Sequence, residues 1–325
     1  MSVKTNVLKT LEENRGHFFS GEELATKLLV SRTAIWKAMK ELEKEGYQIK
    51  AVPNRGYCLT EDNDILSVEG IRTYLTKENQ KIPITVDKVT QSTNINAKLC
   101  AVTGGSHGTL FVADKQTAGR GRRGRSFLTL DGNGIYMSLI LKPKVSTEDI
   151  ILITTAASVA VYRAIKKITG KITTIKWVND LFYHNHKVCG ISTEAVTDCE
   201  DGTINSVILG IGINFTIDRG QIPEDMKDII GSLYDQDAQG VTRNQLIAEV
   251  VNQVLAICDE LPDNSFLEEY RENSMVLGKE VNIIGTGEQT KAYVIAIENN
   301  GGLCVRYQDG REEVLYTGEV SIRLI

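Results

Sequence analysis

The segment that most restricts the fold is "VADKQTAGRGRRGRSF", Val112 to Phe127, taken together with the residues immediately downstream. Gly119, Gly121 and Gly124 satisfy the dinucleotide spacing G-x-G-x-x-G. The same loop misses the phosphate-loop pattern G-x-x-x-x-G-K-[ST] only because Arg125 stands where lysine is required. Both patterns need a helix directly downstream, whose first amides meet phosphate. Here the chain runs on as "SFLTLDGNGIYMSLIL", where Asp131–Gly132 and Asn133–Gly134 are turn dipeptides ahead of an alternating strand. A kinase-type glycine loop does lie between strands, but no H-R-D or D-F-G comes after it. The surviving reading is a strand-to-strand loop carrying Lys115, Arg120, Arg122, Arg123 and Arg125, with no acid from Lys115 to Phe127. Guanidinium groups donate in pairs to phosphate or carboxylate, so the loop reads as a grip for an anion.

Three regions flank and contain this loop. Residues 1–65 begin with Val3, Val7, Leu8 and Leu11 on one helical face. "SGEE" (Ser20 to Glu23) is a capping box, and Ser31 caps a third helix that turns Ile35, Met39 and Leu42 inward. "YQIKAV" and "GYCLT" then form a two-stranded wing, which makes the whole a winged helix-turn-helix. Residues 66–274 mix strands at 84–89, 109–114, 134–141, 173–177, 188–195 and 206–214 with long amphipathic helices at 147–169 and 243–260. Consecutive strands joined by hairpins argue for a mixed sheet with helices packed on it. Residues 275–325 hold short strands and glycine-rich turns, the pattern of a small SH3-like β-barrel. The fold class is therefore α+β.

In the third helix Arg32, Thr33, Trp36, Lys37 and Lys40 lie off the apolar face and would meet double-stranded DNA. Residues 1–60 hold ten Lys and Arg against seven Asp and Glu, whereas the full chain of 325 residues carries −5. The positive balance is thus local, as a phosphate-binding patch needs. The six cysteines are scattered with no CxxC pair, which fits idle thiols in a reducing cytoplasm. No secretory signal and no run of about 18 apolar residues is present, so a cytoplasmic protein with no membrane partner is expected.

Other polar groups cluster at strand ends. "QSTN" (Gln91 to Asn94) stands between a strand and a helix, where Ser92 and Thr93 could cap the helix. Gln116 stands at the mouth of the arginine loop. "KWVND" (Lys176 to Asp180) ends a strand, Lys187 opens "KVCGI", and "GIGIN" (Gly210 to Asn214) ends another strand with glycines that a flat ring could approach. A lysine beside an arginine loop suits developing negative charge. No nucleophile–base pair is among them, which points to a ligase orienting two substrates. His184, His186, Cys189 and Asp180 make a poor metal cluster, because "YHNHK" reads as a hairpin turn with alternating faces.

"DKQTAGRGRRGR", "STN", "KWVND", "KVCGI" and "GIGIN", together with flanking regions that extend over nearly the whole length, resemble the biotin–protein ligase family. The winged helix in front and the SH3-like part behind resemble its bifunctional branch, which also represses biotin synthesis and transport genes. The resemblance implies a class II synthetase-like ligase domain. It implies that Ser92, Thr93, Asn94, Gln116 and Gly190 bind biotin, and that Arg120, Gly121 and Arg122 close over biotin and its adenylate. Lys187 would contact the biotin carboxylate and α-phosphate, and with Arg122 it would be catalytic. Arg125, Asn179 and Asn214 would lie near the nucleotide, with Phe127 packing on adenine where the family often has Trp. Val178 stands where the family motif has Pro. ATP and biotin would be the substrates, with Mg²⁺ accompanying ATP and no metal held by the protein alone. The acceptor would be a lysine of the biotin carboxyl carrier domain of a carboxylase, and the adenylate-bound protein would be a homodimer on operator DNA. A non-catalytic adenylate-sensing regulator is the alternative, and a lipoate ligase disagrees with the glycine-arginine loop.

Overall fold

In the computed structural model the capping box at "SGEE" forms. Ser20 Oγ accepts from the Glu23 amide at 3.1 Å, and Glu23 Oε2 accepts from the Ser20 amide at 2.7 Å. The structure describes residues 2–119, 121, 127, 129, 134–143, 150–197, 203–235, 238, 240–284, 290–316 and 319–321. They fall into two units, Met1–Gln80 with Ala238–Glu249, and Lys81–Asp237 with Val250–Ile325.

The first unit contains α1 (Val3–Glu12), α2 (Gly21–Leu28), α3 (Arg32–Lys44), the hairpin β1 (Ile49–Val52) with β2 (Gly56–Leu59), and α4 (Val68–Tyr74), a helix not anticipated from the sequence. Val7, Leu8, Leu11, Leu24, Ile35, Met39 and Leu42 form one buried cluster. Between α2 and α3 the chain reverses at Leu29, whose φ of 54° puts it in the left-handed region. Ser31 Oγ then caps α3 by accepting from the Ala34 amide at 3.2 Å. Within this unit Asp64 accepts from the amide and Nε of Arg243, both at 2.7 Å, and Asn244 donates to the Ile65 carbonyl at 2.8 Å.

The second unit is built on β3 (Ile84–Thr90), α5 (Thr93–Val102), β4 (Leu110–Gln116), β5 (Gly134–Leu141), α6 (Ile150–Thr169), β6 (Thr174–Lys176), β7 (Asp180–Tyr183), β8 (His186–Thr197) and β9 (Ile204–Asn214). Seven strands make one sheet in the order β3-β4-β5-β9-β8-β7-β6. β3 and β4 are parallel, joined by the α5 crossover, and every other neighbouring pair is antiparallel. The sheet is therefore mixed, as its hairpin-rich sequence implies. All eight residues of β5 are buried, which fits a central strand covered on both faces. α6 is buried at nearly every position from Ile151 to Ile165. β7 was not anticipated: it is four residues long, between "KWVN" and the turn at His184 and Asn185, whose φ values of 48° and 65° suit a tight hairpin.

Downstream, α7 (Arg243–Cys258) starts in residues of the first unit and continues in those of the second, and α8 (Leu267–Glu272) comes next. The chain then forms β10 (Glu280–Ile284), β11 (Thr290–Ile297), β12 (Leu303–Tyr307), β13 (Glu312–Leu315) and β14 (Glu319–Ser321). These five are antiparallel in the order β13-β12-β11-β10-β14. The end of β11 and the turn after it are tied to α8 and to Trp177, just beyond β6. The Trp177 indole N–H donates to the Gly301 carbonyl at 3.0 Å, and Arg271 Nε donates to the Ile297 carbonyl at 2.8 Å.

Candidate functional site

The parallel pair β3–β4 creates the site. In open sheets a crevice forms beyond the carboxyl ends of parallel strands, and here those ends are Thr90 and Gln116. The ladder continues past them, with the Thr117 and Ala118 amides donating to the Thr90 and Gln91 carbonyls, both at 2.9 Å. The glycine-arginine loop leaves from this point. Its ends are tied by the Phe127 amide donating to the Gly119 carbonyl at 3.0 Å. Arg120, Arg122 and Arg125, singled out from the sequence, lie outside the described residues.

A cavity opens here. It is lined by Ser92, Thr93, Asn94, Gln116, Gly121, Phe127, Asn179, Lys187 and Gly190 from the sequence-derived set, with Met137, Ile191, Ser192 and Gly210–Gly212 beside them. Residues picked from separate motifs thus meet in one place. Asn214 does not line this cavity. It lines an adjoining one with Pro223, Met226, Ile229 and Ile230, and Gln116, Phe127 and Lys187 border both.

Most of these side chains are held by a partner. Ser92 occupies the N-cap position of α5, but its side chain makes no capping hydrogen bond. The cap expected there is supplied from β4 instead: Gln116 Oε1 accepts from the Thr93 amide at 2.7 Å and lies 3.1 Å from Thr93 Oγ1. That fixes the Gln116 carboxamide with its oxygen on Thr93, so its NH₂ remains as a donor. Asn179 Nδ2 donates to the Ile191 carbonyl at 2.7 Å, and the Ile191 amide donates back to the Asn179 carbonyl at 2.9 Å. The preceding Val178 carbonyl accepts from Ser158 Oγ at 3.2 Å and the Tyr270 hydroxyl at 3.1 Å. The peptide between Trp177 and Val178 is cis. Lys187 Nζ forms an ion pair with Asp180 Oδ1 at 2.8 Å. Asn214 Nδ2 donates to the Gly231 carbonyl at 2.9 Å and the Lys187 carbonyl at 3.3 Å, so it braces the segment Ile229–Gly231 against β8.

Two glycines of "GIGIN" act by close approach. A Cβ on Gly210 would stand 2.3 Å from Asn94 Oδ1, and one on Gly212 would stand 2.5 Å from Phe127 Cζ. Cys189 contributes no nucleophile. It is fully buried, and desolvation, reinforced by the Asp180 charge, pushes its thiol well above the ordinary range. His184 forms the β7–β8 turn, and its carbonyl lies 2.8 Å from His186 Nδ1. Among the described residues no group of three or more His, Cys, Asp or Glu could hold a metal, and no helix is long and apolar enough to cross a membrane.

Sequence reasoning missed Ser138 and Glu194, which touch Asn94 from β5 and β8. A serine inside the apolar run "IYMSLIL" was the available signal for the first.

In the first unit Arg32, Thr33, Trp36, Lys37 and Lys40 are exposed along α3, Trp36 by 52%. Lys40 also pairs with Glu43 at 2.6 Å. Arg32, Thr33 and Trp36 share a groove with Val52, Asn54 and Tyr57 of the hairpin. The apolar residues of α3 face the core, as the spacing implies.

Family comparison agrees with this division. Residues 4–58 match an HTH domain, residues 85–214 the Biotin/lipoate A/B protein ligase family, and residues 276–323 the Biotin protein ligase C terminal domain. The bifunctional ligase/repressor BirA of Bacillus spizizenii is 32% identical over 99% of both chains. That of Bacillus subtilis is 36% identical over 77% of this chain and 76% of its own. Among solved structures, the biotin protein ligase from Aquifex aeolicus in complex with biotin and ATP superposes with a TM-score of 0.62. It is 27% identical and covers 74% of this chain and 98% of its own.

Proposed function

Because the chain belongs to the family of bifunctional ligase/repressors, we propose that its cavity holds biotin and the adjoining one the nucleotide of biotinyl-5′-AMP. The protein is a biotin–protein ligase with a DNA-binding repressor domain, and ATP and biotin are its substrates. The observation that carries the reading is the meeting of Ser92, Thr93, Gln116, Phe127, Lys187 and Gly190 around one cavity at the carboxyl ends of β3 and β4.

Gln116 NH₂ and the Ser92 hydroxyl are donors suited to a ureido oxygen. Phe127 offers a ring face without an indole N–H. The Lys187 ammonium, steadied by Asp180, would sit where the biotin carboxylate and the α-phosphate both bring negative charge. Biotin's carboxylate attacks the α-phosphorus and pyrophosphate leaves. The ε-amine of a carrier-domain lysine then attacks the biotinyl carbonyl, forming the amide and releasing AMP. Neither step needs a nucleophile from the enzyme; orientation and exclusion of water from the anhydride suffice. Arg120 and Arg122 would close over the adenylate, and Arg125 would meet the nucleotide. Asn179 and Asn214 act by holding Ile191 and the Ile229–Gly231 segment. Mg²⁺ would enter on the ATP phosphates, whose charge it neutralises when bound; the described residues bring no carboxylate cluster to hold it independently.

Residues 1–65 would be the DNA reader, with β1–β2 as its wing, residues 66–274 the ligase, and residues 275–325 an SH3-like barrel. Arg32, Thr33, Trp36, Lys37 and Lys40 would meet operator DNA, and adenylate binding would favour a homodimer spanning two half-sites. The test is biotin-dependent ATP–pyrophosphate exchange, then transfer of labelled biotin to a carboxyl carrier domain. Activity that needs Lys187 supports the reading; an adenylate formed but never transferred would favour the regulator without catalysis.

A further inference from the structure

The segment from Ile229 to Tyr234 borders two hollows. Ile229 and Ile230 line the cavity that holds Asn214, whereas Gly231 and Tyr234 line a separate cleft with Lys171, Tyr183, His184 and His186. This cleft shares no lining residue with either cavity described above. Lys171 follows the end of α6, and its ammonium lies over two aromatic faces, 5.0 Å from the ring centroid of Tyr183 and 4.6 Å from that of Tyr234. Both rings are fixed in turn. Tyr183 lies against the His184 imidazole at 4.0 Å between centroids, and Tyr234 meets Phe215 edge-on at 5.3 Å.

Ring faces attract a cation but leave its charge unneutralised. Among the described residues the Lys171 ammonium has no carboxylate within ion-pair distance, and neither phenol hydroxyl has a hydrogen-bond partner. Burial, with Tyr183 nearby, pushes the Tyr234 phenol up, so it keeps its proton and remains a donor. His186 Nδ1 lies 2.8 Å from the His184 carbonyl, which can only accept, so Nδ1 carries a proton and Nε2 is left to take a second one beside an anion. Among the described residues the acid lining the cleft is Asp235, which is exposed and therefore screened by water. The cleft thus gathers one ammonium, two phenols and two imidazoles, all able to donate. That many donors suit an acceptor with several oxygens, which a phosphate-type dianion supplies better than a planar carboxylate. We propose that this cleft binds a phosphate-type oxyanion at a site distinct from the cavities of the ligase reaction. Free inorganic phosphate and pyrophosphate are the two sources of that chemistry.

The imidazole signals of the full-length protein supply the test, because the chain has four histidines, His17, His107, His184 and His186. Inorganic phosphate and pyrophosphate are titrated separately, without ATP or biotin and at fixed pH and ionic strength, while two-dimensional NMR follows each imidazole. The proteins are wild type, Lys171→Met, Lys171→Arg, Tyr234→Phe and Lys187→Met. In wild type the His184 and His186 signals should move to saturation while those of His17 and His107 stay in place. Lys171→Met should weaken the binding at least tenfold, and Tyr234→Phe, which keeps the ring and loses the hydroxyl, several-fold. Lys171→Arg, which keeps a cation over the rings, and Lys187→Met, altered in the ligase cavity, should retain it. Pyrophosphate held tighter than phosphate identifies the product of adenylation as the occupant; phosphate held as tightly or more so identifies the free ion. Absence of saturable movement, parallel movement of all four histidines, or wild-type affinity in Lys171→Met would overturn the site. So would a Lys187→Met variant that loses as much as Lys171→Met, since the anion would then belong to the ligase cavity. If Lys171→Met does not fold, Tyr234→Phe against Lys171→Arg carries the same comparison.

Discussion

Gly210 and Gly212 stand two residues apart on β9 and so face the same side of the sheet, yet an added methyl should do different things at each. At Gly210 the new Cβ would lie 2.3 Å from Asn94 Oδ1, 2.8 Å from its Nδ2 and 2.6 Å from Ser192 Oγ. Ordinary contact is about 3.5 Å, so the carboxamide has to move by roughly 1 Å, which breaks the bonds to Ser138, Ser192 and Glu194. With two or three buried hydrogen bonds at about 1 kcal/mol each, Gly210→Ala should lose about 2–3 kcal/mol of stability. It should also weaken biotin binding at least tenfold. At Gly212 the nearest atoms to the methyl are those of the Phe127 ring, at 2.5 Å from Cζ and 2.6 Å from Cε1. Displacing one ring costs about 0.5–1.5 kcal/mol in aromatic contact and breaks no buried hydrogen bond, so little should be lost in folding. Urea unfolding and biotin calorimetry on both variants separate the two cases. Equal destabilisation by the two methyls, or a Gly210→Ala protein of wild-type stability, would refute the claim that Asn94 is pinned against β9.

Trp177→Phe keeps a ring but leaves the Gly301 carbonyl without its donor in a buried place, and should cost about 1–3 kcal/mol in urea unfolding. Lys187→Met should abolish pyrophosphate exchange while Asp180→Asn lowers it less, since the carboxamide oxygen of that variant could still accept from the ammonium; the ratio of their exchange rates checks this. Arg32→Ala should weaken operator binding and lower the slope of log K against log salt by about one, read by gel shift at several salt concentrations. Burial pushes Tyr47 up to about 12, so the folded state holds its phenolic proton after the unfolded chain has lost it near 10. Ionisation of the unfolded chain therefore costs no stability below pH 10, and stability is lost as pH rises from 10 towards 12, by up to about 1.4 kcal/mol per unit. The stability difference between wild type and Tyr47→Phe, tracked across that interval, should change with this sign.

Much of the molecule was legible because its signals are local. A capping box needs four residues, and β5 is a single apolar run, so Ser20–Glu23 and Gly134–Leu141 were read as they stand. The site was legible because its chemistry is concentrated in short motifs at strand ends. Features that depend on a distant partner escaped. Gln116 caps α5 from 23 residues away, replacing the nearer Ser92, and the Trp177 bond to Gly301 spans 124 residues. β7 was hidden because four residues are too few for an alternation to show.

Asp64 and Arg243 are 179 residues apart, and Asn244 holds Ile65 over the same span. On the ribosome the helices and hairpin of the first unit emerge early, but the guanidinium that satisfies Asp64 is made only after the whole large sheet has been synthesised. Until then that carboxylate lacks its guanidinium partner, although Ile65 can already pack on the core of the first unit and Asn63 can already be held by Arg15 and Gln48. Completion of the DNA-reading unit is thereby timed to come after synthesis of the ligase strands, which makes its last packing step a late event in the life of the chain.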